Sequence, residues 1–120
     1  MSDFFSLYSH DFARIACCVP RTRVADAPFN LAETLRLAAK GDKAGASLMV
    51  FPELGLSSYA IEDLLLQDAL LDEVERSVAE VVKASKKHNP VLIVGAPQRV
   101  RGRLYNTAIV IHRGVILGVV

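Results

Sequence analysis

Ser47-Leu48-Met49-Val50-Phe51-Pro52-Glu53 is the stretch on which the fold turns. Ser47 to Phe51 reads as one apolar run without polar alternation, which suits a strand covered on both faces, as in a parallel sheet. Pro52 has no amide hydrogen to give to a ladder, so the strand ends there. Glu53 follows just beyond the C-terminal end of that strand, the edge at which open α/β sheets bind ligands. A carboxylate walled by Phe51, Leu54 and Tyr59 is expected to be partly desolvated, which makes it a better proton acceptor near neutral pH. The plainer alternative is an exposed loop glutamate or a helix cap, and position alone favours it.

Working outward from this stretch, Ala13 to Val19 is a short apolar run ended by Pro20 and reads as a strand. Asn30 is the expected helix cap, with Glu33 as its return partner. Leu31, Leu35, Ala38 and Ala39 recur at helical spacing, and Gly41 is the expected stop. On the other side, Glu53 to Ala60 reads as a loop and Ile61 to His88 as one helix. Leu71, Val74, Val78, Val81 and Val82 form its apolar stripe, and Asn89-Pro90 closes it. Val91 to Ala96 reads as a further buried strand. Leu104 to Ile111 and Val115 to Val120 follow after turns at Arg101-Gly102-Arg103 and Arg113-Gly114, short enough to join antiparallel neighbours. The order of elements predicts an α/β fold with a mixed sheet. Val120 falls inside an apolar strand with no turn after it, so the domain is expected to be cut there.

The 120 residues suit one domain or part of one. Hydrophobic residues make up 52 % and charged residues 22 %, a globular composition. A net charge of +1 gives no reason to expect a nucleic acid or an anionic membrane as partner. The adjacent Cys17 and Cys18 are poorly placed for a disulfide and are expected to be inert buried thiols. The N-terminus carries no signal-peptide pattern, and a reducing, cytoplasmic setting is the expectation. His10, His88 and His112 lack metal-ligand spacing, so no metal is expected. Gly55 to Tyr59 misses the nucleophile-elbow pattern at Tyr59, which makes a turn serine the better reading. Val94-Gly95-Ala96-Pro97 lacks the lysine and glycine spacing of a phosphate loop. Lys86-Lys87-His88 complements a helix dipole, and Leu64-Leu65-Leu66 suits a core better than an interface.

Taken together, Phe51-Pro52-Glu53 followed by Ser58-Tyr59 resembles the first catalytic signature of the nitrilase, or carbon–nitrogen hydrolase, superfamily. Ser58 stands where that signature usually has glycine. Val94-Gly95-Ala96 and Tyr105-Asn106-Thr107-Ala108 look like the family's next strands. The resemblance implies the N-terminal part of an α-β-β-α sandwich over residues 13–120, preceded by an extension at 1–12. It implies a Glu-Lys-Cys triad with Glu53 as general base, and Pro52, Tyr59, Tyr105 and Asn106 around the pocket. The lysine is expected just beyond Val120 and the cysteine well downstream. Lys83, Lys86, Lys87, Cys17 and Cys18 match neither position. Ser58-Tyr59-Ala60-Ile61-Glu62-Asp63-Leu64-Leu65-Leu66-Gln67 is similar to a segment of the NAD synthetases that use glutamine. That resemblance implies glutamine as substrate, no cofactor within these residues, and ATP and deamido-NAD at a separate synthetase domain. It also implies homo-oligomers. Another amidase or carbamoylase of the superfamily, or a non-catalytic α/β assembly module, are the alternatives.

Overall fold

The structure is a computed structural model and describes residues 4–120. Strand β1 spans Ile15–Cys17, helix α1 Ala27–Lys43, strand β2 Leu48–Val50 and helix α2 Asp68–Ser85. Strands β3 (Val91–Val100), β4 (Arg103–His112) and β5 (Val115–Val119) complete a five-stranded sheet in the order β1-β2-β3-β4-β5. β1, β2 and β3 run parallel, whereas β4 and β5 are antiparallel to their neighbours. The switch follows from connection length. Parallel pairs here are joined through a helix, and antiparallel pairs through two-residue tips. Arg101 and Gly102 have φ of 50° and 75°, and Arg113 and Gly114 of 45° and 85°. Positive φ at both central residues gives the turn whose twist matches that of the strands it joins.

Side-chain alternation along the strands divides the sheet into two unlike faces. Met49, Leu92, Val94, Ile109 and Ile111 are buried on one face, with Ala38, Val74, Val78 and Val81 of the helices in the same core. Each of the methionine, leucine, isoleucine and valine side chains contributes about 1.5–3 kcal/mol by leaving water. Ile15, Val50 and Val115 lie on the opposite face and stay exposed. Among the described residues no element covers that face. The chain thus shows one helix layer and one sheet of the expected sandwich.

Several elements differ from their sequence reading. Asp26, not Asn30, caps α1, and its carboxylate accepts from the Phe29 amide at 3.1 Å. Asn30 is instead buried in the first turn. Its amide donates to the carbonyls of Arg23 and Leu56 at 2.9 and 3.1 Å, and its oxygen accepts from the Arg23 amide at 2.8 Å. Gly41 does not stop the helix, which runs to Lys43. It lies against β2, where a Cβ would come within 2.3 Å of the end of Met49. The single helix expected over Ile61–His88 is broken: a 3₁₀ turn, Glu62–Leu66, precedes α2, and Gln67 between them is extended. β3 continues through Pro97 to Val100, beyond the expected end at Ala96. β2 pairs with β3 only at Val91–Ile93, so Pro97 lies where that edge is open and its missing amide hydrogen costs no ladder bond there. β1 is shorter than the Ala13–Val19 run. Of the expected extension 1–12, residues 1–3 lie outside the described residues. Leu7–His10 form a 3₁₀ turn, and the Tyr8 hydroxyl donates to the Gly45 carbonyl.

Candidate active site

The loop after β2 is fastened directly onto β3. The Phe51 amide donates to the Ile93 carbonyl at 2.9 Å, and the Leu56 amide to the Gly95 carbonyl at 3.3 Å. Between these two points the chain passes over Gly95. A Cβ there would lie 2.4 Å from the Pro52 oxygen and 2.7 Å from the Leu54 nitrogen. Those are backbone atoms that cannot swing aside, so only glycine lets the loop lie this close. Val94 and Ala96 face the helices, which places Gly95 and the Glu53 loop on the opposite, uncovered face. The loop turns through left-handed backbone at Leu54 (φ 51°) and Ser58 (φ 73°). It is tied from beneath by the Asn30 amide at the Leu56 carbonyl and by the Ala25 amide at the Ser57 carbonyl, 3.0 Å apart.

Glu53 reaches across β3 to β4. Its Oε1 accepts a hydrogen bond from Asn106 Nδ2 at 2.5 Å. The two border an open cavity of about 370 Å³, which Leu54, Tyr59, Glu62, Leu65, Pro97, Leu104 and Tyr105 also line. Glu53, Tyr59, Tyr105 and Asn106 are therefore brought together, whereas Pro52, exposed and with its carbonyl oxygen against Gly95, does not line the cavity. The expected apolar wall around Glu53 takes a different form. Phe51 and Leu54 are 6 % exposed and belong to the buried part of the loop, while Tyr59 is 70 % exposed. Glu53 itself is exposed at the cavity mouth, held by an amide donor rather than enclosed by apolar side chains. Leu65, Pro97 and Leu104 escaped the sequence reading. The hairpin tip at Arg101-Gly102 carries the missing signal, because counting outward from it sets Pro97 opposite Asn106 and Gln98 opposite Tyr105.

A proton acceptor with a fixed oxygen, beside a mixed polar and apolar recess, suits general-base chemistry. No lysine or cysteine lines the cavity. Cys17 ends β1, two strands away from β3, and it is exposed; Cys18 is half-buried, so the expectation of two buried thiols fails. Burial first, and the neighbouring Cys17 second, push the Cys18 thiol up, which keeps it protonated and unreactive. Ser57 is fully buried, and its hydroxyl donates to the Leu54 carbonyl at 3.1 Å, as a turn serine would. Lys83 pairs with Glu80 at 3.6 Å on α2. Among the described residues no three His, Cys, Asp or Glu side chains cluster as a metal site. None of the described helices is long and apolar enough to cross a membrane.

Comparison with known proteins bears on the family and the fold. A glutamine-dependent NAD(+) synthetase of Mycobacterium leprae is 51 % identical over 117 residues, covering 98 % of this chain and 17 % of that protein. The chain thus spans about a sixth of that relative's length. The crystal structure of a glutamine-dependent NAD(+) synthetase from Cytophaga hutchinsonii superposes with a TM-score of 0.82 at 22 % identity, over 89 % of this chain and 18 % of that one. An amidase from Nesterenkonia sp. gives 0.79 at 22 % identity, over 89 % of this chain and 41 % of that one. Both structures share the fold. The carbon-nitrogen hydrolase model matches residues 14–119, nearly the whole described chain from β1 to β5. The match spans the whole sheet, and the chain belongs to the carbon-nitrogen hydrolase family.

Proposed function

We propose that this chain contributes the general base of a glutamine-splitting domain within a glutamine-dependent NAD synthetase. The observation that carries this reading is Glu53, presented at the C-terminal end of a parallel strand, anchored by Asn106 and open to a cavity. The similarity to the Mycobacterium leprae enzyme supports the choice of substrate. In the proposed reaction Glu53 takes the proton of a cysteine thiol, and the thiolate attacks the side-chain amide carbon of glutamine. A lysine cation and a backbone amide stabilise the oxygen anion, a contribution of up to ~3 kcal/mol per donor. Glu53 returns its proton to the departing nitrogen, which leaves as ammonia; water then cleaves the thioester to glutamate and free thiol, and the ammonia amidates deamido-NAD at an ATP-using domain. No cysteine or lysine of this chain lines the Glu53 cavity, so the 120-residue chain alone is expected to be inactive. Homo-oligomerisation and a cytoplasmic location belong to the same proposal.

The test uses the full-length protein. Supplied with glutamine, ATP and deamido-NAD, it is expected to form NAD. Glu53→Gln removes the proton acceptor at constant shape and is expected to lower the glutamine-dependent rate by roughly 10²–10⁴-fold while ammonia-dependent NAD formation persists. Hydrolysis of simple amides without any NAD formation would move the protein to another branch of the family.

A further inference from the structure

Asn106 has a role in this geometry that reaches beyond lining a pocket. It lies on β4 opposite Pro97, while Glu53 comes from the end of β2, and β3 runs between those two strands. The hydrogen bond from Asn106 Nδ2 to Glu53 Oε1 therefore spans a whole strand. Both ends are held firmly. Gly95 keeps the Glu53 loop flat on β3. On the β4 side, Thr107 turns toward the helices, and its hydroxyl donates to the Ala96 carbonyl at 2.7 Å, which locks the β3–β4 register and leaves Asn106 facing the cavity. Among the described residues Oε1 alone of the two Glu53 oxygens takes a side-chain hydrogen bond.

We infer that Asn106 is a positioning residue: it holds Glu53 Oε1 so that Oε2 is the atom that receives the proton in the reaction. The inference rests on the reading of Glu53 as general base. When the proton arrives, the new O–H bond forms at Oε2. Oε1 keeps the amide donor, and the carboxyl group does not rotate. A carboxylate free to turn would offer its lone pairs in many directions, and misplacing a reacting group by about 1 Å can cost on the order of 10²-fold in rate. Substrate binding need not involve this bond, so the effect belongs in kcat and not in KM.

The experiment measures ammonia release from glutamine by the full-length protein carrying Asn106→Leu or Asn106→Asp. Leucine keeps the bulk and removes the donor. Aspartate keeps the shape and replaces the donor with an acceptor. Both are expected to lower kcat by roughly 10²-fold with KM changed by less than about threefold. Asn106→Gln, which still carries an amide donor, is expected to recover part of the lost kcat. Thermal unfolding of each variant checks the fold, and Asn106→Asp keeps the test decisive if Asn106→Leu does not fold. A kcat for the aspartate variant close to that of the parent, or a loss that appears in KM alone, overturns the inference and leaves the reading of Glu53 standing. If the parent protein shows no glutamine hydrolysis, or Glu53→Gln leaves it unchanged, that reading fails and this one with it.

Discussion

At Gly95 a hydrogen atom is all the side chain that the Pro52–Leu54 backbone tolerates. Gly95→Ala must lift the loop from β3, at a cost of about 1–3 kcal/mol, typical of overpacking. Urea unfolding of the full-length protein measures that cost, and the displaced carboxylate should lower glutamine hydrolysis by more than the stability loss accounts for. Ser58 is the converse case. Its φ of 73° is the conformation that glycine adopts without strain. Ser58→Gly is expected to leave stability unchanged or raise it by up to about 1 kcal/mol, and Ser58→Val to lower it, both read from thermal melts. The glycine that usually stands here in the resembling signature finds its physical reason in that angle. Pro52 and the strand end singled out Glu53, but position alone favoured an exposed loop glutamate, and only the resemblance carried by Phe51-Pro52-Glu53 and Ser58-Tyr59 made it the candidate base. Glu53 is exposed, as that alternative had it, and the expected apolar wall fails because Phe51 and Leu54 turn inward while Tyr59 turns out.

The helices show why sequence patterns mislead where tertiary contacts compete. Asn30 and Glu33 have the spacing of a capping box, yet neither caps. Asp26, with Pro28 in the first turn, starts α1. Asp26→Ala is expected to cost about 1 kcal/mol. Asn30→Ala, which strands the Arg23 amide and two carbonyls, should cost more, about 2–3 kcal/mol, in the same unfolding assay. Glu33 is held by Arg36 and then by Arg21, and its hydrogen bonds to their guanidinium groups bring its carboxyl from 4.5 down to about 2. A carboxylate with a depressed folded value stabilises the fold fully above its unfolded value. That contribution is lost as pH falls from about 4.5 toward about 2. Glu33→Gln should therefore flatten the stability profile across this window, and salt should weaken the effect because both arginines are more than half exposed. Equal acid slopes for parent and variant would refute the assignment.

Over the whole molecule, the mixed sheet was legible because turn chemistry is local: Arg101-Gly102 and Arg113-Gly114 announce hairpins, and the long helical stretches announce crossovers. The length of β3 was not, since its last residues pair with β4 alone and Pro97 imitates a strand end. Nor does a run of apolar residues say which face of a sheet has a neighbour. Ile15, Val50 and Val115 remain open to solvent on the face that carries Glu53. The 120-residue chain alone is therefore expected to bind an apolar fluorescent dye and to self-associate, as sedimentation would show. That face also ties folding accuracy to chemistry. Consecutive strand residues point to opposite sides, so sliding β4 by a single position along β3 would bury the Asn106 amide among the helices and present the Thr107 hydroxyl to Glu53 in its place. The two-residue tip at Arg101-Gly102, which touches no reacting group, thereby decides which functional group the carboxylate meets.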